Sequence, residues 1–461
     1  SPAPGRYTMT IMTHAPTRGP EQVLAEVRKG RMTRFQLVTV TIALLLVVLD
    51  GFEVGIMAFA APQIQQEMGI GPDVLGYVLS ASLFGMAAGS ILLAPLADRM
   101  GRRRLTLAML VVIVIGMAFT VMAPGVGALI LWRVVTGLGI GGMMANLNAL
   151  VAEYSSDARR TTAIAIYAAG YPIGATIAGF VARPLIPQFG WDSMFIAGTV
   201  LAAVALLSAW ILLPESLHYL MGRRPAGALE KTNAILARMN LAPLSELPEQ
   251  VPAGQDDAAD KGILREVLTP PTLRLTLALW IGYGLLVASY YFANTWIPTI
   301  LTQVSGDQQL GTTMGIGANL GGVLGCFLFA GLAVRFSGRR LLFLTLFAAA
   351  AAYLLFGLIF SIVPVAIAVG FVLGVLTTAA IAGFYAVAPT VYTFQARATG
   401  IGWMIGIGRL VSVAAPIIVG YILAMGIAPE HVFIGFTIPL AIAGLAALSL
   451  LLRRTATDMA A

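Results

Sequence analysis

Twelve apolar runs, each near the roughly 20 residues a helix needs to cross a bilayer, fill most of this chain. They lie near 36–59, 74–95, 105–122, 126–151, 162–184, 192–213, 275–300, 311–334, 341–360, 363–388, 398–424 and 432–452. Hydrophobic residues make up 58% of the chain and charged residues 11%, against roughly 25% charged in soluble domains. A water-soluble fold has nowhere to hide that much apolar surface, whereas a bilayer solvates it. The 50 glycines suit helices that approach closely in lipid. The expected class is an all-α integral membrane protein of twelve transmembrane helices.

Lys and Arg orient the spans. Arg99, Arg102, Arg103 and Arg104 follow the second run, Arg159 and Arg160 the fourth, Arg335, Arg339 and Arg340 the eighth, Arg397 the tenth, and Arg453 and Arg454 the last. Seven more, from Arg223 to Arg274, fall between the sixth and seventh runs, and the intervening loops hold almost none apart from Arg183. Basic loops stay on the cytoplasmic side. Both termini and the central linker are therefore expected in the cytoplasm, beneath a bacterial inner membrane. The net charge of +7 reflects this topology and gives no support to nucleic-acid binding. The expected organisation is a cytoplasmic segment over 1–35, a six-helix bundle over 36–213, a cytoplasmic linker over 214–274, a second bundle over 275–452 and a tail over 453–461. The single cysteine, Cys326, lies in an apolar run and reads as a packing residue, so neither a disulfide framework nor a cysteine-based metal site is expected.

An offset of 237 residues aligns the halves. Gly101-Arg102-Arg103 maps to Gly338-Arg339-Arg340, Gly137 to Gly374, and Arg160-Thr161-Thr162 to Arg397-Ala398-Thr399. Two repeated bundles around a linker are a transporter plan, with substrate bound near mid-membrane between them.

Within the spans, ionisable side chains cost several kcal/mol and are usually functional. Four stand out: Asp50, Glu53, Arg133 and Arg409. Asp50 and Glu53 lie three apart on one face of the first helix. Two carboxylates close together in low dielectric cannot both ionise cheaply, so the pair is expected to hold and release a proton as a unit. At the repeat offset Asp50 becomes Val287 and Glu53 becomes Tyr290, so the acids belong to the first half alone. Two readings are open for Arg133: partner of these acids, or ligand of a substrate carboxylate, which a guanidinium binds bidentately. Arg409 is either the substrate or gating contact or a donor to nearby backbone carbonyls. Glu53 is either a coupling acid or a solvated residue at the outer mouth.

Tyr283, Tyr290 and Asn294 share a stripe of the seventh helix, and Tyr385 and Trp403 add rings, together a candidate wall for a planar substrate. Trp296 is expected in the interfacial aromatic belt. Of Asn146 and Asn148, two apart, one is expected to line the cavity, and Asn146 is the candidate. Asp98, Gly101, Arg102, Arg103, Glu153, Arg159 and Arg397 form a candidate gate at the basic loops, where a helix N-terminus would attract Asp98.

Ala94-x3-Asp98-Arg99-Met100-Gly101-Arg102-Arg103, its second copy Gly331-x3-Arg335-x2-Gly338-Arg339-Arg340, the run Arg133-x3-Gly137-x-Gly139-x-Gly141-Gly142, and Pro214-Glu215-Ser216 resemble signatures of the major facilitator superfamily over about 36–452. Asp50-Gly51-Phe52-Glu53 and Arg397-Ala398-Thr399-Gly400 leading to Gly406-x-Gly408-Arg409 resemble its aromatic acid:proton symporters, the 4-hydroxybenzoate and benzoate type. The departures are Ala94 for Gly, Arg335 in the Asp place, and Glu53 for Asp, which lengthens the arm by a methylene. The resemblance implies a secondary transporter, not an enzyme. It would import a small organic acid with protons as coupling ion and no other cofactor, by alternating access, as a functional monomer. The rival readings are an efflux antiporter, against which Gly170-Tyr171-Pro172 lacks the Gly-Pro core of the antiporter signature, uptake of a non-aromatic dicarboxylate, and a membrane sensor or enzyme, for which three histidines and one cysteine offer little chemistry.

Overall fold

The computed structural model describes residues 19–29, 31–157, 160–247, 266–270, 272–393 and 396–452. Among these residues the chain forms sixteen helices of seven residues or more and no strand. They are α1 (Pro20–Arg28), α2 (Arg34–Met68), α3 (Pro72–Leu92), α4 (Ala94–Met100), α5 (Arg102–Val121), α6 (Val126–Tyr154), α7 (Arg160–Phe189), α8 (Asp192–Leu212), α9 (Leu217–Arg223), α10 (Ala228–Arg238), α11 (Thr272–Ser305), α12 (Gln308–Leu332), α13 (Gly338–Ile359), α14 (Val363–Val391), α15 (Arg397–Ala424) and α16 (Pro429–Leu452). Eleven are long and apolar enough to cross a membrane. The twelfth long helix, α7, has 30 residues and packs between α2 and α12. Large apolar side chains stay exposed along the spans, with Leu207 at 59%, Leu358 at 68% and Ile438 at 64%. Only lipid covers such faces, as a multi-pass membrane protein requires.

The ends of the helices have local causes. Thr33 caps α2 by accepting from the Gln36 backbone N–H, with the Gln36 side chain reaching back, a capping box. α2 then runs past its apolar stretch through Gln63, Gln65 and Glu67 until Gly69 turns left-handed at φ 61°. The hydropathy boundary at residue 59 marked where the apolar run stops, not where the helix does. Pro95, in the first turn of α4, follows the break at Leu93 that separates α4 from α3. The linker carries α9 and α10; residues 248–265 and 271 lie outside the described residues, as does the tail from 453.

The halves repeat each other's packing. α3 lies along α6 as α12 lies along α14; α2 along α7 as α11 along α15; α5 along α8 as α13 along α16. In lipid there is no hydrophobic drive between helices, so close backbone approach supplies the contact. Gly85 and Gly89 of α3 sit on the carbonyls of Val134 and Leu138, and Gly321 and Gly325 of α12 sit on those of Phe371 and Val375. Gly137 returns the contact to the Ser82 carbonyl and Gly374 to that of Ala318. The register is 237 between α6 and α14 but 236 between α3 and α12, so the repeat loses one residue in its second span.

The halves meet through α3 with α15, α7 with α12, and α2 with α11. Their contacts concentrate at the end opposite the Arg-rich loops. There Tyr77 and Tyr421 hydroxyls stand 3.0 Å apart, Gln303 donates to Gln65 at 2.7 Å, and Gln309 donates to the Arg183 carbonyl at 3.1 Å. Gly76 and Gly420 let α3 and α15 touch backbone to backbone. Trp296 is fully buried and donates its indole N–H to the Pro416 carbonyl at 3.1 Å. It is therefore an interhelix contact, not a residue of the aromatic belt: its indole N–H is answered by the backbone of α15.

Candidate functional site

Two buried charge centres lie between the helices, and the structure separates acids that the i, i+3 spacing had grouped. Glu53 of α2 forms an ion pair with Arg133 of α6, both 0% exposed. The guanidinium carbon stands 5.2 Å from the centre of the Phe195 ring of α8, a cation–π contact. Glu53 is thus no solvated residue at a mouth. Its second oxygen, and Nε and one terminal nitrogen of Arg133, have no hydrogen-bond partner.

Asp50, one turn earlier, is 7% exposed with Oδ1 unpartnered. The cation acting on it is Arg409 of α15, in the opposite half. Tyr167 and Tyr171 of α7 and Tyr290 and Tyr291 of α11 stand within electrostatic reach of the same carboxylate. The Tyr171 ring lies 6.2 Å from that of Tyr290 and 6.4 Å from that of Tyr291. Gly51 explains how α7 comes so near, because a side chain there would run into the Tyr171 backbone. Arg409 is half-buried, with one long contact of 3.5 Å to the Met86 carbonyl. Gly408 beside it makes room for the Tyr283 ring, whose hydroxyl is 2.9 Å from that of Tyr385.

From this cluster a cleft runs between α11, α12 and α14. Its walls include Tyr290, Asn294, Asn319, Tyr353, Thr377 and Thr378. The sequence stripe Tyr290–Asn294 thus faces a cavity. Trp403 has another neighbour: it stacks on Trp280, 5.7 Å between centres and 16° between planes, and is 47% exposed, so its ring partner is not the tyrosine cluster. Asn146 is buried and donates to the Gly142 carbonyl of its own helix at 2.9 Å, while Asn148 is exposed.

At the basic loops, Gly101 adopts φ 98°, a conformation open to glycine and strained for other residues. Arg102 pairs with Glu153 at 3.1 Å, and Ser216 and the His218 backbone N–H also donate to Glu153. The backbone N–H groups of Arg103 and Ser216 both donate to Glu215, at 3.0 Å each, and the Tyr154 hydroxyl donates to the Glu215 carbonyl at 2.7 Å. The partners named here belong to the first bundle and to the start of the linker, so this network ties the linker to that bundle's loops. Arg397 is half-buried at the start of α15. The Asp98 side chain and Arg159 lie outside the described residues. Sequence reading assigned no site role to Glu215, Tyr154, Tyr167 and Tyr171. A pair of tyrosines four apart on α7 was the available signal for two of them.

A family profile described as Major Facilitator Superfamily matches residues 43–370. The chain belongs to that superfamily. A gallate transporter of Pseudomonas putida is 29% identical over 457 residues, covering 95% of this chain and 97% of its own. A 4-hydroxybenzoate transporter of Acinetobacter baylyi is 29% identical over 418 residues, covering 88% and 89%. Among solved structures, a D-xylose-proton symporter matches with a TM-score of 0.71 at 14% identity, covering 90% of this chain and 97% of that one. That likeness speaks for the fold alone. The membership makes this chain a multi-pass transporter of the superfamily.

Proposed function

We propose that this protein is a proton-coupled symporter, working as a monomer, that brings a small aromatic carboxylate across a bacterial inner membrane by alternating access. The observation that carries the reading is a buried Asp50 within electrostatic reach of Arg409 of the other half, in a site walled by tyrosines. The names of the gallate and 4-hydroxybenzoate relatives support the substrate class.

Charge balance links substrate to proton. Asp50 and Arg409 neutralise each other when the site is empty. A substrate carboxylate that takes the guanidinium leaves two anions beside one cation in low dielectric, and a proton on Asp50 restores neutrality. Substrate and proton then move together. The loaded centre carries no net charge, so the membrane voltage does no work on it and the pH gradient supplies the drive. Glu53 and Arg133 are already balanced. Protonating Glu53 would strand a buried cation, so that pair changes state only together with its surroundings.

With the basic loops in the cytoplasm, the contacts at Tyr77–Tyr421 and Gln65–Gln303 close the outer side. Toward the basic end Tyr385 is 38% exposed although its hydroxyl reaches the central Tyr283, which supports a site open inward. Rocking of the halves about it would expose it alternately.

The test is uptake of labelled 4-hydroxybenzoate into proteoliposomes under an imposed pH gradient. Asp50→Asn is expected to abolish accumulation while retaining exchange of substrate across the membrane at equal pH. Accumulation at the wild-type level by Asp50→Asn would remove proton coupling at this residue.

A further inference from the structure

The cleft of the second half contains two polar atoms that the fold leaves unanswered. Most of its polar wall is tied down. The Asn319 amide donates to the Gly315 carbonyl at 2.9 Å, the Thr377 hydroxyl to that of Leu373 at 2.7 Å, and the Tyr353 hydroxyl to that of Ser289 at 2.6 Å. The Asn294 amide nitrogen and the Thr378 hydroxyl, in the same cleft, are buried with no partner among the described residues. Thr378 is 6% exposed. Buried polar groups are almost always hydrogen-bonded, and an unpaired one carries a desolvation cost. Two in one small cleft mark a place where a ligand completes the bonding.

Their chemistry limits that ligand. The amide nitrogen only donates, whereas a threonine hydroxyl donates and accepts. A group that accepts from Asn294 and donates to Thr378 satisfies both, and a hydroxyl is such a group. No charged side chain lines the cleft, so a carboxylate there would be buried without a counter-charge. The cleft also touches the charge centre. Tyr290 lines it and lies in electrostatic reach of Asp50. Behind Thr378, Gly322 lies close to both Thr378 and Pro172, next to Tyr171.

The geometry points to Asn294 and Thr378 as a ring-hydroxyl subsite, which selects hydroxylated aromatic carboxylates over unsubstituted ones. This rests on the aromatic-carboxylate reading. The carboxylate goes to Arg409, the ring lies against Tyr290, and the hydroxyl on its far edge enters the cleft. A site that hydrogen-bonds a substrate hydroxyl rejects the analogue lacking it, because its own groups are then left unpaired.

The experiment is competition for uptake in proteoliposomes by 4-hydroxybenzoate, benzoate and 4-methylbenzoate. Wild type is expected to favour 4-hydroxybenzoate by about tenfold or more over the other two. Thr378→Val, nearly the same shape, is expected to erase most of the preference, weakening 4-hydroxybenzoate and strengthening benzoate, which no longer strands a buried hydroxyl. Thr378→Ser keeps the hydroxyl and is expected to keep the preference; if the valine variant fails to insert, Thr378→Ala takes its place against Thr378→Ser. Equal competition by all three acids in wild type overturns the subsite and leaves the function standing, as does an equal loss for all three acids in Thr378→Val. If none of the acids competes, the function reading itself falls.

Discussion

In the first half, α2 and α6 bury a carboxylate against a guanidinium. At the matching positions of the second half α11 carries Tyr290 and α14 carries Gly370, over which the Met314 side chain folds. The surrounding frame is the same in both: glycines on facing carbonyls, and the same three helix pairings. A duplicated scaffold fixes where a centre lies and leaves open what fills it. The first half holds charge, which suits protons. The second holds rings and neutral hydrogen-bonding groups, which suit the body of a substrate, and Arg409 is the cation it lends to the first half's Asp50.

The sharpest way to break this asymmetry is to unbalance the first half. Arg133→Met leaves Glu53 buried without its cation. Removing one partner of a buried ion pair costs about 3–5 kcal/mol, so a large fall in thermal stability in detergent is expected. The double variant Glu53→Gln/Arg133→Met removes both charges and is expected to recover most of the loss. A single variant as stable as wild type would mean that the pair is not what holds α2 to α6.

The second probe addresses the cation lent across the halves. Arg409→Gln is expected to weaken substrate binding by roughly 1.5–3 kcal/mol, the range for hydrogen bonds to charged groups, with little change in stability because Arg409 is only half-buried. Isothermal titration with 4-hydroxybenzoate measures it. Unchanged affinity would move the carboxylate site elsewhere.

The frame was more legible in the sequence than the centre. Spans and halves follow from a physical demand that repeats along the chain, since each crossing needs its own apolar run and each turn its own side of the membrane. Asp50, Glu53, Arg133 and Arg409 announce themselves because charge inside a span is costly. Partner choice was not legible. That Arg133 takes Glu53 and leaves Asp50 to Arg409 depends on how α6 and α15 stand around α2, which no local spacing encodes. Tyr167 and Tyr171 were passed over for the same reason, since a tyrosine in a span reads equally as belt or cavity. Trp296 failed in the opposite direction, because its acceptor, the Pro416 carbonyl, lies on another helix 120 residues away.

If the scaffold is common to both halves, its two glycine contacts should be equally intolerant of a methyl group. Gly137→Ala and Gly374→Ala each drive a Cβ into a backbone carbonyl, of Ser82 and Ala318. Overpacking costs typically about 1–3 kcal/mol, and similar losses of thermal stability are expected from both. A loss confined to one variant would show that the frame is held differently in the two halves.

The smallest expected effect lies where the halves touch. The Tyr77 and Tyr421 hydroxyls bond at 3.0 Å, but each residue is 44% exposed, which places the contact at the low end of a hydrogen bond's net worth, about 0.5 kcal/mol. Tyr77→Phe keeps the ring, which packs edge-on against Tyr421 at 6.2 Å, and deletes only the bond. A bias of that size shifts a two-state population about twofold. A cysteine at Thr299, which is fully buried one turn below Gln303, reports it through labelling by a membrane-impermeant maleimide, since the native Cys326 is buried. The comparison is between Thr299→Cys with and without Tyr77→Phe. A rise of about twofold in labelling rate places a latch at this pair. An unchanged rate assigns the closure to the backbone contacts of Gly76 and Gly420, where α3 and α15 meet without side chains between them.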